Sequence, residues 1–450
     1  MVINYFIVFL VFFGLLVNYH KTVLIYGAVS LFVQPYMCLV YSPALTCDFA
    51  ANMLIIGMFL LRSKKRRRTM PFILRREFFL IALMYLISGV VSSNGFISNF
   101  PNIFVSIIQL LAIVVFFKEL NTAKDIDITI KWLLISFSIL AVYGVIEFAT
   151  QFNPFYDYYA DSIAPEALKG KLFHSSLRLG RWRTQTVMSI SISWGGACAV
   201  MVGFMILMRD YLHNIIIPFL FWFIVGLLLF GIVSSASRSA LIAIIVMLLP
   251  YFFVKGEKKF KFFLIIAAIA FVFLFRDSLM ALVNSAIGIE DLNVDLGSSS
   301  DTAMRVDQFN AVLNVLQENP LFGLGARGYD VAFSINNDIL GAESIWLQTL
   351  ISYGFVGVVI WILLYYKLAK ISVNSCYSKL GALMFVGGWV LYRTSTSSPG
   401  LEEIDFIYFV IVLYKYNQLK TNLEVNETST VHKVERKHFS ISSARRGSVV

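Results

Sequence analysis

Segment 178–186 reads Arg-Leu-Gly-Arg-Trp-Arg-Thr-Gln-Thr, so Arg178, Arg181 and Arg183 fall within six residues at the mouth of an apolar run beginning near Thr186. A guanidinium is always charged and presents a planar fork of donors that matches phosphate oxygens in pairs. An anionic, phosphate-bearing ligand is the chemistry such a cluster suits; pairing with nearby carboxylates or lipid phosphates is the alternative. A fourth arginine, Arg238, stands in Val-Ser-Ser-Ala-Ser-Arg-Ser-Ala (233–240), which joins two apolar runs with almost no loop. Ionisable groups at membrane depth usually face the bundle interior and mark function, and the hydroxyl-rich flanks suit a polar cavity. Snorkelling of the long side chain to the interface is the alternative there.

Further along, residues 301–318 place apolar side chains at 306, 309, 312, 313 and 316. That is helical spacing, with Asp301 as the expected N-cap and Arg305 in the first turns. The helix is predicted to stop at Asn319-Pro320. A glycine-rich turn follows, Leu-Phe-Gly-Leu-Gly-Ala-Arg-Gly-Tyr (321–329). Its glycines read either as turn formers or, flanked by Arg305 and Arg327, as part of a phosphate site. The next apolar run opens at Gly341-Ala-Glu-Ser-Ile-Trp, with Glu343 at its N-terminal end. A carboxylate there is favoured by the helix dipole alone; facing a group of arginines, it would also serve as a general base or an orienting acceptor. Asp48 and Glu147 lie in or near other apolar runs and read as polar contacts between helices. No Asp-x-Asp pair suited to a metal stands out, so arginine is the expected phosphate handle and no cofactor is expected.

The elements that must position these residues follow from composition. The chain has 450 residues, 58% of them hydrophobic and 14% charged, against roughly 45–50% and 25% in soluble domains; its mean hydropathy is +0.76. This excludes a water-solvated surface around most of the chain. A helix needs about 20 apolar residues to cross the hydrocarbon core, and apolar runs near that length occur at 2–17, 22–41, 44–61, 78–93, 99–117, 132–150, 186–208, 215–233, 239–254, 262–275, 343–366, 380–392 and 404–414. The predicted fold is therefore an all-α polytopic membrane protein of about 12–13 spans. The runs are continuously apolar rather than alternating, which argues against a β-barrel. Within 1–61, Pro35 and Pro43 mark a place for a broken or re-entrant helix.

Lysine and arginine set the orientation. Residues 62–76 hold eight of them, which anchors that loop in the cytoplasm; alternation puts 118–131, 209–214, 255–261, 367–379 and the tail from 415 on the same side. Loops 151–184 and 276–342 then face outward, and the second carries nine carboxylates, three arginines and no lysine. Residues 1–417 read as one membrane domain and 418–450 as a basic, disordered cytoplasmic tail. The net charge of +10 is explained by this placement, so no nucleic-acid partner is expected.

In this order the motifs resemble the O-antigen ligase and polymerase superfamily, the Wzy-type polymerases and their ligase relatives. The stretches that carry the resemblance are Arg181-Trp-Arg183, Ser-Ser-Ala-Ser-Arg238-Ser-Ala, Arg305 followed by Glu-Asn-Pro-Leu-Phe-Gly-Leu-Gly (318–325), and Glu343-Ser through Tyr-Gly-Phe-Val-Gly357. The resemblance implies a metal-independent, inverting glycosyltransferase of the GT-C type in the bacterial inner membrane, acting on its periplasmic face upon polyprenyl-diphosphate-linked glycans. By that similarity Arg238 and Arg305 match the arginines that hold the lipid diphosphate. Where the ligases typically carry a histidine this chain has Glu343, which favours a polymerase. The expected assignment is Glu343, Arg238 and Arg305 as catalytic residues, with Arg178, Arg181, Arg183, Arg327 and Tyr329 binding diphosphate or glycan. Donor and acceptor lipid-linked oligosaccharides, membrane lipid and a chain-length regulator are the implied partners. A ligase acting on lipid A core and a protein O-oligosaccharyltransferase stay open within the superfamily. A lipid-linked sugar flippase belongs to a different class, in which internal repeats and midplane binding residues are common; no repeat is visible, and the charged candidates cluster at the outer mouth.

Overall fold

A computed structural model describes residues 2–41, 44–62, 71–92, 95–162, 177–178, 181–253, 302–317, 319–326, 328, 344–376, 378–396 and 402–421. In chain order the longer helices are α1 (Val2–Val29), α2 (Cys47–Leu61), α3 (Arg75–Val91), α4 (Gly95–Glu119), α5 (Ala123–Thr150), α6 (Pro154–Ser162), α7 (Ser191–Leu207), α8 (Pro218–Ser234), α9 (Arg238–Phe253), α10 (Thr302–Leu316), α11 (Ile345–Ser375) and α12 (Lys379–Ser395). Residues 403–421 form a further helix, α13. The stretches Val2–Phe32, Gly95–Glu119, Ala123–Thr150 and Ile345–Ser375 are long and apolar enough to cross a membrane, and α2, α7, α8 and most of α9 are shorter apolar helices. The architecture is an all-α polytopic membrane protein.

Local signals set several helix starts. Thr122 and Asp125 form a reciprocal capping box at the head of α5, satisfying two of the donors that every helix start leaves orphaned. Thr46 caps α2, Ser344 caps α11, Ser378 caps α12, and Pro218 occupies the first turn of α8, where its missing N–H costs nothing.

Two of the long helices are folded in half. Asn18 leaves helical geometry (φ −149, ψ 84) inside α1. Beyond it the chain runs back, since Asn4 Nδ2 donates to Cys38 O (2.7 Å) and Tyr5 OH to Leu39 O (3.1 Å). Gly354 breaks α11 (φ 62, ψ −162). The Trp346 and Tyr365 rings lie 5.7 Å apart, although 19 residues of straight helix would separate them by about 28 Å. The two limbs touch at Gly357, where an added Cβ would meet Thr349 Cγ2 at 3.2 Å.

α7 is the buried axis of the bundle: Trp194, Phe204 and nearly every residue between them lie below the surface. Small residues let its neighbours approach, as membrane helix pairs require. A side chain at Gly195 would strike Ser235 and Ala240, one at Gly196 would strike Tyr392, and one at Gly203 would meet Met247 and Phe385. α9 runs antiparallel along α12, with Gly388 against Ala243 O and Met247, and Gly381 against Tyr251.

One end of the bundle gathers basic residues. Arg62 lies over the Tyr19 ring at 5.0 Å and Lys415 over Phe117 at 4.0 Å. Tyr211 OH donates to Asp127. His20 bridges Glu119 (2.9 Å) and Asp125 (2.8 Å). The opposite end collects the segments that carry Arg183 and Arg238.

Several boundaries differ from the sequence expectation. The run 22–41 ends its helix at Val29, and after a short 3-10 turn residues Cys38–Tyr41 and Ala44–Thr46 pair as an antiparallel hairpin. Two prolines close together leave no room for a continuous helix there. The run 343–366 is not one straight span but the hinged α11. The span expected from Thr186 starts only at Ser191, because residues 183–190 are used in loop contacts. α10 does form, but its apolar face is displaced: Gln308, Ala311, Val312, Val315 and Leu316 are buried, whereas Phe309 and Leu313 are exposed. Docking of α10 on Leu350 and Ile351 of α11 sets that phase. The expected span 262–275 and the tail from 422 lie outside the described residues.

Candidate active site

Arg183 and Arg238 come together through the backbone. Arg183 Nε donates to Ser235 O (3.1 Å) and Thr184 N to Ser234 O (3.0 Å), fastening the 183–186 segment onto the turn between α8 and α9. Arg238 opens α9 three residues later, and Ser237 caps it by accepting from Ala240 N (3.3 Å). The first turn of a helix points its free N–H groups and positive dipole end outward, so Arg238 adds a full charge where anions are already favoured. Residues Thr186 (φ 55) and Ala236 (φ 49) adopt left-handed backbone in the two touching segments. Such conformations are uncommon outside glycine and persist where the surroundings hold them.

What holds the first of them, Thr186, is Glu147. Fully buried on α5, its carboxylate accepts from Thr186 N (2.8 Å), Gln185 N (3.2 Å) and Trp182 Nε1 (3.4 Å). Asn153 adds a bond to Thr186 O (2.8 Å). A carboxylate taking several N–H donors is a strong local anchor. Glu147 is thus a contact between an α5 residue and the site loop, rather than the inter-helix contact the sequence suggests. Asp48 is the latter, accepting from Tyr26 OH (2.5 Å), Asn52 (2.9 Å) and Gln109 (3.3 Å) on three helices.

The glycine-rich turn has another use than cradling phosphate. Leu324 N donates to Ile351 O (2.8 Å) and Gly325 N to Ser352 O (3.0 Å), while Phe355 N and Val356 N donate back to Pro320 O (3.0 Å) and Leu321 O (3.1 Å). Gly323 N is taken by Asn319 O and Gly328 N by Gly325 O. Ser88 bonds both Phe322 O (2.8 Å) and Ser352 O (2.7 Å), and Ser92 bonds Leu324 O. The amides of Leu324 and Gly325 are therefore committed to the break in α11, and those of Gly323 and Gly328 to the turn itself. Non-helical backbone at membrane depth survives only where protein satisfies it, and here two irregular segments satisfy each other. Gly354 is required at this joint, because an added Cβ would run into the Leu321 carbonyl and its backbone angles lie in a region nearly exclusive to glycine.

The other candidates are less fully seen. Arg178 and Arg181 are register partners in a two-residue hairpin, Leu177–Arg178 against Arg181–Trp182. Arg305 lies in the first turns of α10, which packs on the N-terminal limb of α11. Arg327, Tyr329 and Glu343 lie outside the described residues; Ser344, next to Glu343, caps α11 with its Oγ on Trp346 N (3.3 Å). Among the described residues no three His, Cys, Asp or Glu side chains are grouped to hold a metal.

A buried ion pair missed in the sequence reading lies close by. Arg393 donates through Nε to Glu403 Oε1 (2.7 Å) and through Nη2 to Oε2 (3.4 Å), and Tyr365 OH donates to the same Oε1 (2.9 Å). The available signal was an arginine and a glutamate ten residues apart, each at the edge of an apolar run.

Residues 223–362 match the family model described as O-antigen ligase. The match covers less than a third of the chain, yet it includes Arg238, Arg305, Arg327, Glu343 and both limbs of the α11 break. It supports the O-antigen ligase and polymerase superfamily, and with it a glycosyltransferase-like membrane enzyme of O-antigen biosynthesis, without separating polymerase from ligase. No curated protein matches the chain.

Proposed function

We propose that this protein is an O-antigen polymerase that joins polyprenyl-diphosphate-linked oligosaccharide repeat units on the periplasmic face of the bacterial inner membrane. The observation that carries the reading is the junction of Arg183 with the Arg238 helix start, part of it within the family-matched segment. The junction lies at the end of the bundle away from its basic residues, which the positive-inside preference would put in the cytoplasm.

In this reading Arg183, Arg238 and Arg305 hold the donor diphosphate. An acceptor sugar hydroxyl attacks the anomeric carbon from the face opposite the diphosphate; the new C–O bond forms as the C–O bond to phosphate breaks. The bonding pair leaves on the lipid diphosphate, and the hydroxyl proton passes to Glu343. Negative charge grows on the leaving group during this step, so fixed guanidinium groups act most strongly in the transition state. A carboxylate at the acceptor assists proton removal. Arg178, Arg181, Arg327 and Tyr329 are assigned to diphosphate or glycan binding, and a chain-length regulator is the proposed protein partner.

Glutamate rather than histidine at 343 supports polymerase over ligase, whereas the family match is compatible with both. Surface polysaccharide from a deletion strain separates the two. Core bearing one repeat unit, with the ladder restored on complementation, is the result expected of a polymerase. Bare core with free lipid-linked polymer would make the protein the ligase.

A further inference from the structure

The Arg393–Glu403 pair is buried on both sides, at 3% and 6% exposure. Burying two charges is costly unless the geometry is good and the remaining valences are met. Here the guanidinium is forked onto the carboxylate, Tyr365 supplies a further donor, and Trp389 lies under the guanidinium at 5.9 Å. With its fork engaged in this way, Arg393 is not placed as a phosphate ligand. Its position nonetheless ties three helices together. Tyr365 belongs to the C-terminal limb of α11, Glu403 opens α13, and Arg393 stands in the last turn of α12. One residue beyond Arg393, Thr394 Oγ1 accepts from Trp346 Nε1 (2.8 Å) in the first turn of α11, and the Trp346 ring meets Tyr365 edge-on. On its other side α12 carries α9: Arg393 lies five residues beyond the Gly388–Ala243 contact, and Arg238 lies five residues beyond it in the same direction, because the helices are antiparallel.

We propose that Arg393, Glu403 and Tyr365, acting through the Trp346–Thr394 bond, are positioning residues for the glycosyl transfer. They fix the start of α11, two residues after Glu343 in the sequence, relative to the helix that begins with Arg238. This deepens the function proposed above and rests on it. A proton acceptor and a diphosphate handle contributed by distant parts of the chain need a common frame, since small misplacements of reacting groups cost orders of magnitude in rate. The outer end of α12 supplies that frame.

The test uses purified full-length protein in lipid nanodiscs with a polyprenyl-diphosphate-linked repeat unit as substrate. Trp346→Phe keeps an aromatic ring and removes only the bond to Thr394; Thr394→Val keeps the shape and removes that bond together with the local donation from Thr394 Oγ1 to Val390 O (2.7 Å). Each is expected to lower kcat by about 5- to 30-fold, the loss of a single hydrogen bond's worth of orientation, with KM within about two-fold of wild type and an unchanged unfolding midpoint. The double variant should be no slower than the slower single one, because both remove the same link. Glu403→Gln should lower both kcat and the unfolding midpoint. Active wild type with Trp346→Phe and Thr394→Val at wild-type kcat would overturn the clamp alone. Wild type that transfers no sugar overturns the functional reading and the clamp with it.

Discussion

Arg238 opens a helix, and so its charge and the helix dipole act on the same small volume. Replacing Arg238 or Arg305 by alanine should abolish long-chain glycan on gels of surface polysaccharide while the protein still accumulates in the membrane. Unaltered ladders from both variants would remove these two residues from the mechanism. Arg183 and Arg238 were readable as a pair of candidates, since charge in apolar surroundings is conspicuous. Their contact was not readable, because it runs through the Ser234 and Ser235 carbonyls, and backbone partners leave no mark in a sequence. Glu147 shows the same limit. Its side chain is visible as an oddity in an apolar helix, but its three N–H partners come from a loop 35 to 39 residues away.

Apolar runs revealed most of the helices, and their hinges were harder to find. Hydropathy is blind to direction, so a helix that reverses at Asn18 or Gly354 scores like one that crosses. Asn18 was approachable, since its side chain accepts from Lys21 N (3.1 Å) in the familiar manner of a residue that starts a helix. Gly354 could not be told from neighbouring glycines until its partner turn at 320–325 was in place. Gly354→Ala should therefore destabilise the protein by ~1–3 kcal/mol from backbone strain alone, with the clash at Leu321 added. A lower unfolding midpoint in detergent would register it; an unchanged midpoint would mean the joint is looser than its bonds suggest. The phase of α10 was misjudged for a related reason: spacing identifies a helix, but the face that is covered depends on what docks there.

At the basic end, His20 joins the α1 hinge to the end of α4 and the start of α5. The Glu119 hydrogen bond, helped by Asp125 and opposed by partial burial, raises His20 to about 9. Burial alone would raise Asp125, yet the bonds from His20 and Thr122 outweigh it and hold the carboxyl below its usual range. A raised histidine adds stability that is complete below its unfolded value near 6.5 and disappears as pH climbs through about 9. The unfolding midpoint of wild type should thus fall toward that of His20→Gln between those limits. Parallel curves would show that the bridge contributes nothing. The effect is modest because His20 is 41% exposed on its side chain.

For the whole molecule, the grouping of Arg62, Lys118, Lys415 and the His20 bridge at one end gives a definite sidedness. A tag appended after Val450 should be reached by antibody only once the inner membrane has been permeabilised, whereas a cysteine placed at Leu321, which is 57% exposed at the other end, should react with an impermeant maleimide in intact spheroplasts. Labelling with the opposite sidedness would invert the molecule. The exchange of hydrogen bonds between 320–325 and 351–356 also has an evolutionary corollary. It ties the turn before residue 329 to the helix that begins after residue 343, so the sequence between them leaves from and returns to one element. Closure entropy rises only with the logarithm of loop length, about 0.6 kcal/mol for each doubling. Insertions between these two anchors are therefore cheap for folding, and a lineage can lengthen the sequence there while the joint at Gly354 stays as it is.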